Sequence, residues 1–590
     1  MGVFAIDSSP AASRAGIRRH RPWVRWTVVS LVLLCLFALV AQPVGWIVYN
    51  SLHDDATQQW TLNNYARLVT AKGMLAPLGN SIILAFSTAL FSTLLGVPLA
   101  WLVARTNMPG RGLIRMLTLG AFVTPSFIGA LGWILLAAPN AGWLNSLYRY
   151  LFDSTQPLLN IYSMGGAIFV CAIYTVPYTF TIVASALDDM AVELEDAATT
   201  LGAGVLRTMF SVTIPMVMPA VIVGFILSFI QGMTLFGVPA FLLTPSGTAV
   251  VTTKLAEFYQ LFPPELYMAA AYCMPLLLLT GGLFWVRRKI LGRKRFVMIG
   301  GKSRAGRRID LKGWRWGGLA FALIVPVTAV LLPYFALIVV SLSKAWGQGP
   351  SLANLTFHWY RWAILENGET QAAILNSLSY AAGAATICVL LGAVIAYIVE
   401  RRLVAGTTLI AGLTNLPIII PGIVLSVGFF AAYTQPPLSL YGTSAIIVAA
   451  FVATFLPIAY SHGGAILKGI SPDLERVARI LGASEAKTFT SITAPLMRSG
   501  LISGWLLVFI PVMRELSVAV FLITPSTNVM TTLIYNYKDG GNYEAVAAAS
   551  VLLLVVTMLV VALAQLLNVK LAKHKRASTG LTSTQPGAAQ

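Results

Sequence analysis

ELEDAATTLGAGVLRTMFSVTIP, residues 193–215, and DLERVARILGASEAKTFTSITAP, residues 473–495, put charge and a Leu-Gly-Ala break into a chain that otherwise runs for long stretches without charge. In the first, Leu194, Ala197, Ala198 and Leu201 recur at helical spacing. In the second, Leu474, Val477, Ala478 and Leu481 do the same, so each stretch predicts a short helix with an apolar stripe. Gly202 and Gly482 stand where these helices end, the usual place for a residue that tolerates positive φ. One such helix reads as an amphipathic connector resting on lipid headgroups. Two, with the same break and the same following proline, read as a paired docking surface. That chemistry is recognition, not catalysis.

A second pattern is the pair Arg514–Glu515 in FIPVMRELSVAVFLITP. A charge near the centre of a bilayer costs about 2.5–3.5 kcal/mol on insertion scales, so these side chains should face protein or a water-filled cavity. They read either as an ion pair locking the fold or as part of a translocation path. Thr234 and Leu235 hold the matching places in the first half, so that path would be asymmetric.

Other chemistries find no support. Cys35, Cys171, Cys273 and Cys388 all fall in apolar segments and read as small apolar residues, not a disulfide or zinc framework. The five histidines have no ligand-like spacing, and His53-Asp54-Asp55 reads as a solvated loop. GGKS at 300–303 resembles the end of a phosphate-binding loop, but that pattern needs Gly at 296, where Phe296 stands. No catalytic residue, metal or cofactor is expected.

The elements that must position these residues are membrane helices. The chain is 57% hydrophobic and 10% charged, where a soluble domain has roughly 25% charged residues. Twenty or so apolar residues suffice to span a bilayer, and such runs predict about twelve transmembrane helices in an all-α integral membrane protein. The first span is too long for a secretory signal and is expected to remain as an anchor. The net charge of +19 is not spread evenly. With the N-terminus inside, 32 of the 40 Lys and Arg fall in cytoplasmic segments, which predicts both termini in the cytoplasm. The basic excess therefore implies topology and contact with membrane lipid, not nucleic acid.

The chain also repeats itself. At an offset of 280, Pro177 matches Pro457, Glu195 matches Glu475, Gly202 matches Gly482, and FLLTPS at 241–246 matches FLITPS at 521–526. Earlier in each half the offset is 296, pairing Gly96 with Gly392, Arg105 with Arg401 and Pro125 with Pro421. A collinear series of this kind signals a true repeat. Six spans per half make the two halves parallel repeats. The expected organisation is a basic cytoplasmic N-terminus at 1–25, a first six-span membrane domain at 26–286, a basic linker at 287–315, a second six-span membrane domain at 316–569 and a cytoplasmic tail at 570–590. Pro125, Pro177, Pro421 and Pro457 are expected to kink spans.

At the repeated motif the chain resembles the fused, two-domain permeases of binding-protein-dependent ABC importers. The likeness covers the chain after its basic N-terminus. The family motif is Glu-Ala-Ala, three residues, Gly, and an Ile/Leu-x-Pro-like ending. Here the first copy reads Asp196-Ala197-Ala198-x3-Gly202 and ends Ile214-Pro215. The second reads Arg476-Val477-Ala478-x3-Gly482, ends Ala494-Pro495, and departs from the motif at Arg476. Glu195 and Glu475 each precede a copy by one position.

The resemblance implies that Glu195, Asp196, Ala197, Ala198 and Gly202, with Glu475, Arg476, Ala478 and Gly482, couple the permease to two separate ATP-binding ATPase subunits. It also implies an external, periplasmic substrate-binding protein and a place in the bacterial cytoplasmic (inner) membrane. Thr234, Arg514 and Glu515 would lie along the translocation path. Within the family, APNAGWLN at 138–145 and LNIYSMGG at 159–166 resemble ferric iron permeases, with thiamine and aminoethylphosphonate permeases as alternatives. An ion-coupled secondary transporter is the rival class; it should carry more intramembrane ionisable groups than one Arg–Glu pair. A channel would need rings of charge or a repeated filter loop.

Overall fold

Apolar runs of this length leave the backbone no option but to satisfy its own hydrogen bonds, and the computed structural model is built of helices accordingly. It describes residues 22–293 and 308–578, apart from Ala56 and Val192. The basic segment 1–21, the GGKS stretch within 294–307 and the tail beyond 578 lie outside the described residues.

The first half contains α1 (Arg25–Ser51), α2 (Leu75–Arg105), the short α3 (Ser126–Ala137), α4 (Met164–Asp189), α5 (Glu193–Thr200), α6 (Met209–Thr234) and α7 (Leu266–Arg293). The second repeats the order with α8 (Lys312–Ser341), α9 (Gly368–Glu400), α10 (Gly422–Tyr433), α11 (Ser444–Lys468), α12 (Pro472–Ile480), α13 (Ala494–Met513) and α14 (Tyr543–Ser578). Among the described residues nine helices are long and apolar enough to cross a membrane, or eleven if two bent pairs each count as one span. The twelfth expected span is α3 with the preceding helix Arg111–Gly120.

The four prolines expected to kink spans divide into two cases. Pro177 and Pro457 lie inside α4 and α11. Pro125 and Pro421 instead stand in extended backbone, with ψ of 127° and 141°, as the residue from which α3 and α10 start afresh. In the second half, Thr407–Ile418 meets Gly422–Tyr433 at 110°. Proline disfavours helical backbone in the residue before it, so the chain breaks here instead of bending.

Four other prolines are absorbed differently. One wide π-type turn precedes each: Phe37–Ala41 before Pro43, Met209–Thr213 before Pro215, Val327–Leu331 before Pro333, and Phe489–Thr493 before Pro495. Proline lacks an N–H and its ring crowds the carbonyl four residues back; one extra residue in the turn relieves the crowding but orphans carbonyls. In α1 and α8 the other half satisfies them. Tyr433 donates to the Ala38 carbonyl at 2.5 Å, Trp133 to Thr328 at 3.0 Å, and Tyr174 to Ala329 at 2.6 Å. Each half's first helix thus packs on the other half's third, α1 on α10 and α8 on α3. Glycines permit the approach: a Cβ on Gly428 would lie 2.8 Å from the Pro43 carbonyl oxygen, and one on Gly132 would lie 2.6 Å from Pro333.

Candidate functional site: two clamped helices and a charged cavity

α5 and α12 form where the sequence places them. Acidic residues crowd both first turns: Glu193, Glu195 and Asp196 in α5, and Asp473 and Glu475 in α12, where they oppose the positive helix end. Ser471 caps α12 by accepting from the Asp473 N–H at 3.3 Å. Both helices stop in the same way. Gly202 and Gly482 adopt φ of +82° and +87°. The Ala203 N–H returns to the Ala198 carbonyl and that of Ala483 to Ala478, each at 3.0 Å, closing the left-handed cap that glycine favours.

The two glutamates of the motif point inward. Glu195 is buried, ion-paired with Arg105 at the end of α2, and accepts from the Thr213 hydroxyl at 2.6 Å. Glu475 is buried, pairs with Arg401 at 3.0 Å and accepts from Thr493 at 3.1 Å. The same Arg–Glu–Thr clamp therefore occurs in both halves, and each Thr closes a π-type turn, the first turn of α6 in one half and the turn just before α13 in the other. The halves differ in one donor. Tyr397 reaches Glu475 at 3.4 Å, whereas the matching Trp101 has a buried indole N–H without a partner.

The rest of each motif faces away from the bundle. Asp196, Ala197 and Gly202 are exposed and Ala198 is half-buried; Arg476 and Gly482 are exposed and Ala478 is buried. Leu201 is 88% exposed and Leu481 82%, large apolar side chains left almost uncovered by the described residues. Arg476 pairs with Asp473 on its own helix at 3.0 Å. The apolar stripe is thus largely outside and the clamp inside.

Beside the first clamp, the chain returning from the linker is tied to the end of α2. The Ile309 N–H donates to the Arg105 carbonyl at 2.9 Å, and Asp310 accepts from the Lys312 N–H at 2.9 Å and from Asn107 at 2.6 Å. Those donors hold the Asp310 carboxyl below the usual range, so it is charged at neutral pH.

The expected intramembrane charges sit at a helix end and not within a span. α13 stops at Met513, Arg514 is its C-terminal cap, and the following backbone is non-helical. The matching α6 ends at Thr234, whose hydroxyl turns back to the Gln231 carbonyl at 3.3 Å. Arg514 and Glu515 line a cavity of about 140 Å³ between the halves, with Phe122, Tyr178, Gln231 and Leu235 on the other wall. Thr234 does not line it. The two charges do not pair at contact distance: Glu515 accepts from the Val518 N–H at 3.2 Å, and among the described residues the Arg514 guanidinium has no ion pair within 4.0 Å and no hydrogen-bond partner, its backbone N–H alone bonding to the Pro511 carbonyl at 3.3 Å.

Toward the end opposite α5 and α12, aromatic rings join the halves. Tyr259 stacks on Phe521 with centroids 4.2 Å apart, and Phe430 meets Tyr259 edge-on at 5.1 Å. Among the described residues no cluster of His, Cys, Asp or Glu could hold a metal ion.

The description "Binding-protein-dependent transport system inner membrane component" matches residues 96–295 and again residues 405–573. The ferric transport system permease protein FbpB of Actinobacillus pleuropneumoniae is 26% identical over 540 residues, covering 90% of this chain and 77% of that protein. The molybdenum transport system permease protein ModB of Escherichia coli K12 is 33% identical over 149 residues, covering 25% of this chain and 62% of that protein. A solved bacterial ABC transporter involved in import of the acidic polysaccharide alginate aligns at 13% identity with a TM-score of 0.40, covering 47% of this chain and 97% of that one. Two matched segments, one in each half and each holding one clamped helix, make this chain a member of the binding-protein-dependent transport system inner membrane components, a fused two-domain ABC permease of the bacterial inner membrane.

Proposed function

We propose that this permease imports ferric iron, driven by two separate ATP-hydrolysing subunits seated on α5 and α12 and supplied by a periplasmic binding protein. The observation that carries the reading is the pair of helices, each clamped inward by a buried glutamate and outwardly apolar. In this scheme Leu201, Gly202, Leu481 and Gly482, with Asp196, Ala197 and Arg476, meet the ATPase. Glu195 and Glu475, with Ala198 and Ala478 behind them, fasten each helix to the bundle. Closure of the ATPase pair pushes α5 and α12 together, and the rigid Arg–Glu–Thr clamps pass the motion to α2, α6, α9 and α13. Arg514 and Glu515 line the path, with Thr234 at the matching break.

The domain limits follow: permease domains at 26–286 and 316–569, joined by a linker at 287–315. The clustering of Lys and Arg supports placing α5, α12, the linker and both termini in the cytoplasm. What supports iron is similarity to ferric permeases along most of the chain. The reading assigns this chain no enzymatic chemistry of its own, and ATP is hydrolysed on the partner subunits.

The test is uptake of radiolabelled ferric iron by cells with and without the gene. The expected result is accumulation that depends on the chain, survives collapse of ion gradients by an ionophore and stops on ATP depletion. Accumulation that follows the ion gradient instead would favour a secondary transporter.

A further inference from the structure

We infer that the cavity between the halves selects cargo presenting anionic oxygen, either a free oxyanion or a metal ion enclosed by anionic oxygen ligands, and rejects a bare cation. This rests on the importer reading above and adds the chemical class of what passes.

Arg514 is the first reason. Its guanidinium carries five N–H donors and a permanent charge, and among the described residues no carboxylate pairs with it at contact distance and no group accepts its N–H donors; Glu515 acts on it only through space. The adjacent Glu515 does not reach it at ion-pair distance. Its carboxylate accepts the Val518 N–H and packs at the start of α10, where Gly422 would place a Cβ 3.5 Å from Oε1. A carboxylate at a helix N-terminus is stabilised by that helix end, so the backbone shares in compensating the negative charge while the N–H donors of the guanidinium stay open.

The facing wall also offers a donor. Gln231 donates to the Tyr178 phenol oxygen at 2.7 Å, so that oxygen is an acceptor in this bond and its own O–H remains to donate elsewhere. A guanidinium and a phenol O–H then converge on about 140 Å³, the volume of four or five waters at roughly 30 Å³ each. That space suits a tetrahedral oxyanion or one anionic face of a larger complex. A guanidinium matches such a face with two parallel N–H bonds. A bare cation would meet the guanidinium at close range, beside a Glu515 carboxylate already engaged by the Val518 N–H. The first half has Thr234 and Leu235 at the matching places, so the cavity holds one clamp and not a ring.

The experiment uses the full chain with its copurified ATPase and binding protein in proteoliposomes. Three probes are offered separately: iron with labelled citrate as the sole anion, labelled 2-aminoethylphosphonate, and labelled molybdate. Wild type should accumulate at least one on ATP addition. Arg514→Gln should lower that uptake at least tenfold, while ATP hydrolysis stimulated by the binding protein stays within twofold. Arg514→Lys should recover part of the uptake. Phosphonate or molybdate uptake would identify a free oxyanion, and iron arriving with citrate an enclosed metal.

Three results would overturn the inference: undiminished uptake by Arg514→Gln, iron arriving without an anion, or joint loss of uptake and ATPase stimulation that Arg514→Lys does not rescue. If wild type accumulates none of the probes, the importer reading itself falls, and this inference with it.

Discussion

Glu195 and Glu475 act on the rest of the permease through burial. Removing one partner of a buried ion pair leaves the other charged group without compensation, at a cost of about 3–5 kcal/mol. Glu475→Gln should therefore loosen α12, and limited proteolysis at the Leu481–Gly482 turn should accelerate while the spans stay protected. The double variant Arg401→Gln/Glu475→Gln should recover part of that protection. If the single variant matches wild type, the clamp does not hold the helix. Gly202→Ala should also weaken the cap, since a left-handed residue other than glycine costs roughly 1–2 kcal/mol; the space around it is open, so backbone strain alone is tested. The apolar stripe and the terminal glycines were legible because helical spacing and the repeat both announce them. The clamp was half legible. Arg105 matches Arg401, and Glu195 matches Glu475, but arginine and glutamate lie 90 and 74 residues apart, and no local pattern says that they meet. The state of Arg514 was hidden because it depends on α13 ending one residue earlier.

At the scale of elements, a charge-free apolar run reads as one helix whatever its prolines do. Pro125 and Pro421 break their spans while Pro177 and Pro457 sit within continuous helices, a difference the apolar pattern does not carry. The exchange of first helices was likewise invisible, because it depends on which carbonyls the π-type turns release. Tyr433→Phe should leave the Ala38 carbonyl unpaired and destabilise the fold by about 1–3 kcal/mol, seen as an earlier thermal transition of the detergent-purified chain. An unchanged transition would mean that water or another group takes the bond. The parallel repeat itself was plain in the sequence, since motifs at constant offset survive even where the spans between them diverge.

The whole molecule is two pseudo-equivalent halves closed on each other by aromatic rings at one end and presenting two apolar helices at the other. If the rings form a gate, Tyr259→Cys/Phe521→Cys joined by a short thiol crosslinker in a Cys35→Ala background should stop uptake without releasing the ATPase. Continued uptake would place the path elsewhere. The claim on which the account turns is that each half seats one ATPase subunit. Native mass spectrometry of the tagged chain, purified in mild detergent from its own membranes, tests it directly. The account predicts two nucleotide-binding subunits per chain, both lost from a monodisperse Leu201→Asp/Leu481→Asp variant. A chain that carries no ATPase even after crosslinking, or that keeps both subunits in the variant, would contradict it.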